Sequence, residues 1–186
     1  MISELVEASA ALPFSVWTLT AAVLFAALGG AHDAYDGRIP NGLTLSALAL
    51  ALLSRGWCEG AVGLLGSLAG ALATTAMPFL LFRAKSLGGG DVKLFGALGA
   101  WLGPSRGLEV QLLAFVLLAL GAVVILAVRG RLLSLLAGTF WLTFGWLVPQ
   151  RWRPPRRPES LTSMRFGPAI ALATFAICGL ELGLPT

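Results

Sequence analysis

GGGDVKLFGALGAWLG, Gly88 to Gly103, is the stretch on which the fold turns. Three glycines, an aspartate and an apolar run invite comparison with nucleotide-binding loops. Walker A requires Gly-Lys-Ser/Thr after its glycines, and an aspartate follows here instead. A dinucleotide fingerprint sits inside a βαβ unit, and no such pattern surrounds these residues. What lies on either side is apolar sequence of helix length. An ionised side chain between such segments is costly near a bilayer and marks a functional position.

Working outward, the chain of 186 residues is 57% hydrophobic and 12% charged, with a mean hydropathy of +0.85. A soluble domain carries about 25% charge, so this composition is that of an integral membrane protein. Apolar segments fall at 13–32, 43–57, 60–82, 92–103, 108–128, 131–149 and 166–184. A spanning helix needs about 20 residues. Segments 13–32, 60–82, 108–128 and 166–184 meet that length, and 43–57 borrows Asn41 and Gly42 at its start. Segment 92–103 is short, and crosses only if its flanks extend it or water penetrates beside it.

Segment 131–149 is long enough to cross, but Arg129 and Arg131 precede it, and Arg151, Arg153, Arg156, Arg157 and Arg165 follow it. Basic flanks stay on the cytoplasmic side, and one crossing cannot leave both ends there. It reads as an interfacial or re-entrant helix, with Trp141, Trp146 and Trp152 at the headgroup boundary. The expected fold is an all-α integral membrane protein of six transmembrane helices with this additional helix near 131–149, in one polytopic domain over 1–186. Both termini then lie outside. The inner side holds all 13 basic residues except Arg55 and Arg106, and the inverted topology would violate the positive-inside rule.

The N-terminal MISELVEASAALPF carries Glu4 and Glu7 but no basic residue, so the first apolar run reads as a retained span rather than a signal peptide. Gly66/Gly70 and Gly99/Gly103 stand four apart and read as helix-packing surfaces. RWRPPRRPES, Arg151 to Ser160, reads as a Pro/Arg linker near anionic lipid. The net charge of +4 reports topology, since bases and aromatics are not interleaved as on a nucleic-acid-binding surface. No nucleic-acid partner is expected. Cys58 and Cys178 form no CxxC pair and His32 is the only histidine, which argues against a zinc site or a serine or cysteine triad. No metal or cofactor is expected.

The topology places Asp33 at the inner end of the first span and Asp91 at the inner end of the fourth. If those spans pack together, two carboxylates share a water-accessible pocket at one membrane face. Two close carboxylates do not both ionise easily, so one keeps a proton. Such a pair suits amide hydrolysis: the ionised member takes a proton from water, and the neutral one polarises or protonates the amide. Glycines at 88–90 then allow unusual backbone angles and close approach of an extended substrate. Each residue also has a plainer reading. Asp91 reads equally as the N-cap of its helix, and Pro40–Asn41 as a stop followed by an N-cap. Asp36 with Gly37 reads as a solvated turn, and His32 as a helix-end residue. Lys93 reads as a snorkelling anchor or as the counter-ion of Asp91.

Together the motifs resemble a known family. GGGDVKLFGALGAWLG is similar to the GxGD motif and following helix of type IV prepilin peptidases. DAYDGRIPNGLT (Asp33 to Thr44) resembles the family's first-aspartate segment, and RFGPAIALA (Arg165 to Ala173) the start of its last span. The resemblance implies an aspartic endopeptidase that removes the short basic leader of prepilin or pseudopilin precursors at the cytoplasmic face. It implies Asp33 and Asp91 as the catalytic pair, with Gly88 and Gly90 as motif glycines and Lys93, Pro40 and Asn41 shaping the site. The bilayer, the precursor and pilus assembly machinery are the implied partners, and the inner membrane the implied location. The cysteine-paired cytoplasmic domain of larger members has no counterpart here. The chain resembles the compact branch serving Flp/Tad-type pili, without methyltransferase activity. Two other readings stay open: a proton-coupled transporter subunit using the same aspartates, and a GxGD protease cutting other single-span substrates such as preflagellins. A structural assembly subunit with the acids as caps is a further one.

Overall fold

The computed structural model describes residues 16–128, 130 and 165–181. These form four helices: α1 (Val16–Asp36), α2 (Asn41–Arg83), α3 (Gly89–Val128) and α4 (Gly167–Glu181). No strand occurs among the described residues. The chain divides into two compact units, one of Met1–Leu117 with Arg165–Thr186 and one of Leu118–Met164. The site lies wholly in the first. The helix expected near 131–149 falls outside the described residues.

The faces of the helices are inverted relative to a soluble protein. Leu24, Leu50, Leu53, Trp57, Leu72, Leu112 and Leu172 are exposed, while Ala22, Ala26, Ala47, Ala51, Ser67 and Thr74 are buried. Lipid is as apolar as leucine, so large side chains gain nothing by turning inward, whereas small ones let backbones approach. Gly70 of α2 lies directly on the backbone of Gly99, and a side chain at either would collide with it. One glycine of each expected pair, Gly70 and Gly99, thus forms the packing surface, with the Gly103 backbone beside Gly70.

The expected count of six separate spans needs correction. Three of the four helices, α1, α2 and α3, are long and apolar enough to cross a membrane. Segments 43–57 and 60–82 belong to one helix of 43 residues, and 92–103 and 108–128 to one of 40 residues. Hydropathy registers apolar runs, and here paired runs join without an intervening loop. Neither helix is straight. A rod of this length would measure roughly 60 Å, about twice the hydrocarbon thickness. Each breaks at a glycine in a conformation closed to other residues: Gly60 at φ 66, ψ −148 and Gly103 at φ 78, ψ 177.

Side-chain bonds across the bundle show that the chain doubles back at both breaks. Before Gly60, Asn41 meets Lys93 and Arg55 meets Trp101; after it, Ser67 meets Ala100 and Thr74 meets Phe95. The two limbs of α2 therefore run in opposite directions beside the first limb of α3. Beyond Gly103 the chain returns, so that Phe115 stacks on Phe95 at 6.0 Å. Pro104 has no N–H to give the Ala100 carbonyl, which a regular helix would require. The Ser67 hydroxyl donates to that carbonyl at 2.8 Å, and Arg55 donates to the next one, Trp101, at 3.2 Å. Arg55, expected in an outer loop, is instead buried within α2 and paired with Glu59 at 2.9 Å.

The first limb of α3 is the centre of the unit. From Asp91 to Gly103 every residue but Lys93 is buried. The segment that looked too short to span is thus enclosed by protein on all sides but one.

Candidate active site

The ends of α1, α2, α3 and α4 that carry Asp33, Asn41, Gly89 and Gly167 gather at one end of the bundle. α1 runs toward it, with Trp17 and Phe25 against Trp101 and Gly29 against Leu94. It ends in a left-handed Gly37, whose N–H donates to the Asp33 carbonyl at 3.0 Å, a common glycine helix stop. The turn indicated by Asp36–Gly37 is therefore present. Asp36 is exposed on it, and His32 only meets the Leu28 carbonyl of its own helix at 2.9 Å.

Asp33 is 8% exposed and so is Asp91, and the Asp33 charge acts directly on the Asp91 carboxyl. The two acids, 58 positions apart in sequence, thus both lie buried at this end of the bundle, within electrostatic range of each other. Gly167, the first residue of α4, donates its N–H to Asp33 Oδ2 at 2.8 Å. Phe95, one turn on from Asp91, and Phe166, the neighbour of Gly167, pack with Phe115 in one aromatic cluster with ring centroids 5.2–6.0 Å apart. Among the described residues no cation pairs with either carboxylate.

Asp91 is not the N-cap of α3. The helix begins at Gly89, and the Gly88 carbonyl accepts from Val92 N–H at 3.4 Å. Gly88 is therefore the cap and Asp91 the third residue of the first turn. Its carboxyl reaches back to the Gly88 backbone, as the third residue of a capping box does. Asp91 Oδ1 remains buried and unpartnered among the described residues. The glycines serve close approach rather than unusual angles, since none of Gly88, Gly89 and Gly90 has positive φ. A Cβ at Gly88 would stand 2.9 Å from Asp91 Oδ2, one at Gly89 3.3 Å from the Phe82 ring, and one at Gly90 3.1 Å from Ile39 Cβ.

Lys93 is not the counter-ion of Asp91. It lies exposed, and its ammonium donates to Asn41 Oδ1 at 2.7 Å. Asn41 in turn is not an N-cap: Pro40 holds that position in extended conformation, with no side-chain bond to the helix. The Lys93–Asn41 bond ties the start of α2 to the start of α3 beside the acids. Sequence reasoning missed Gly167, Phe166 and Ile39. The Phe-Gly-Pro that opens the last apolar segment was the available signal for the first two, but nothing local shows that it faces Asp33.

In chemical terms this end of the bundle presents two buried carboxyls within electrostatic range, one held by a backbone N–H and one with an oxygen unengaged among the described residues. That arrangement can activate a water and exchange protons with it. Searches of curated proteins and of solved structures returned no match. A model of the type IV leader peptidase family matches residues 17–128, a range that takes in both Asp33 and Asp91 and more than half of the chain. By that match, this membrane protein belongs to the type IV leader peptidase family.

Proposed function

We propose that the protein is a prepilin leader peptidase in which Asp33 and Asp91 hydrolyse the bond between a short basic leader and the apolar helix that follows it. The observation that carries this reading is the meeting of the two buried carboxyls at one end of the bundle, in a chain of this family. The ionised carboxylate takes a proton from water as the water oxygen bonds to the scissile carbonyl carbon. The protonated carboxyl then gives its proton to the amide nitrogen as the C–N bond breaks. One water is consumed, and the pair finishes with its proton on the other member.

The same end of the bundle carries Arg38, Arg83, Lys85, Lys93 and Arg165, which favours a cytoplasmic orientation in the inner membrane. Pilus assembly machinery is the partner that this activity calls for. Relay carboxylates of transporters lie near the midplane in broken helices; these lie at helix ends, which favours the peptidase.

The test is cleavage of a full-length pilin precursor by purified protein in detergent, with the new N-terminus read by mass spectrometry. Wild type cuts just before the apolar helix, and Asp33→Asn and Asp91→Asn each lose cleavage by on the order of 10³-fold or more while remaining inserted. Cleavage that survives both substitutions sinks the proposal. Cutting of preflagellin in preference to pilin precursors would keep the chemistry and change the substrate.

A further inference from the structure

Among the described residues, the Gly167 N–H is the donor that reaches Asp33 from another helix, and it comes from the first residue of α4. The approach is unusually close. A Cβ on Gly167 would stand 3.0 Å from Asp33 Oδ2 and 3.1 Å from Asp33 Cγ, and one on Gly30 would stand 2.9 Å from both the Gly167 carbonyl oxygen and Ala171 Cβ. Two glycines, one on each helix, therefore bring the α4 backbone against the Asp33 side chain. At its other end α4 is tied to α3 through the ion pair of Glu181 with Arg106.

An aspartate near a helix end has several staggered rotamers available. In a buried pocket an N–H aimed at one oxygen selects among them, because leaving that donor unmet costs a desolvated polar group. With Oδ2 engaged, the orientation of Oδ1 is settled as well. We propose that Gly167 is the positioning residue for Asp33: its N–H fixes the carboxylate in the orientation that faces Asp91, and its lack of a side chain permits the approach. The proposal rests on the peptidase reading and adds α4, which lies beyond the matched range 17–128, to the working parts of the site. α4 makes no proton transfer of its own.

The experiment deletes the donor, at the cost only of a weaker Phe166 carbonyl acceptor for Ala169 and Ile170. Gly167 is replaced by glycolic acid in the full-length chain, which exchanges the N–H for an ester oxygen without adding an atom. The variant is assayed in detergent against a full-length pilin precursor, beside wild type, Asp33→Asn and Gly179→Ala. Gly179 lies on the same helix with nothing within 4 Å of an added Cβ, and its variant keeps wild-type rates. The ester variant is expected to lose on the order of 10- to 100-fold in kcat, with KM within about twofold. Gly30→Ala leaves every atom of the pair in place but pushes on the first turn of α4, and it is expected to show the same split. This second variant decides the matter if the ester chain does not insert.

A merely structural bond would instead lower thermal stability and leave the kcat of the folded fraction unchanged, which overturns the proposal. Wild-type kcat in both variants overturns it too, with the peptidase reading intact. If wild type and Asp33→Asn alike fail to cleave, the peptidase reading falls and this proposal falls with it.

Discussion

Asp33 and Asp36 lie three residues apart on α1, yet their surroundings differ completely. Asp33 is buried, bonded to Gly167 and beside Asp91, whereas Asp36 stands exposed at the helix end. Exposed charges away from such partners contribute little to stability or chemistry. Asp36→Asn is therefore expected to cleave within about twofold of wild type, while Asp33→Asn is inactive. The comparison needs only the precursor assay. An inactive Asp36→Asn with an active Asp33→Asn would show that the wrong carboxylate has been assigned. Lys93 belongs with Asp36 in this respect, since its ammonium is spent on Asn41 and not on the acids.

Glycines within the helices act in two distinct ways, and substitutions separate them. Gly60 has open space where a Cβ would go, but its φ of 66° is one that other residues rarely adopt. Gly42 also has open space, with no positive φ. Gly60→Ala is expected to destabilise by about 1–3 kcal/mol through backbone strain alone. Gly42→Ala is expected to be neutral or to stabilise by up to ~1 kcal/mol, because alanine is the better helix former. Unfolding in mixed micelles of rising SDS content measures both. Equal effects would mean that the reversal at Gly60 does not depend on its conformation. At the second reversal the same logic extends to a partner: Ser67→Ala strands the Ala100 carbonyl that Pro104 cannot serve, at a cost of about 1–3 kcal/mol.

Across the whole unit, charge is divided between an end with the acids and an end with two kinds of ion pair. Arg55 is 4% exposed, joins Glu59 and bonds the Trp101 carbonyl. Arg106, with its side chain 39% exposed, pairs with Glu109 and Glu181. Breaking a buried pair by removing one partner costs about 3–5 kcal/mol, and an exposed one contributes at most about 1 kcal/mol. Arg55→Met is thus expected to be far more damaging than Arg106→Met, and only the smaller effect should shrink in high salt. Comparable losses in both would contradict the difference in burial. Orientation is testable with a native thiol. Cys58 is exposed near Arg55 and Glu59, at the end opposite the acids, whereas Cys178 is buried. A membrane-impermeant maleimide added to intact cells is expected to label Cys58. Labelling restricted to inside-out vesicles would place the acids on the outer face.

Apolar run lengths, the basic flanks and the two aspartate motifs are local properties, so the sequence alone was enough to establish a helical membrane protein, its family resemblance and Asp33 and Asp91 as the residues to watch. Asp36 reads as a solvated turn from the glycine that follows it, also a local property. The number of separate helices was not legible in that way. A hydropathy run looks the same whether its neighbour follows after a loop or after one glycine, and φ at Gly60 and Gly103 is settled by the limbs that pack on either side. The partner of Lys93, the burial of Arg55 and the N–H that Gly167 gives Asp33 were equally out of reach. Each joins residues between 46 and 134 positions apart, and only the packing of small residues, which lets the backbones meet, decides which distant groups come within hydrogen-bonding distance.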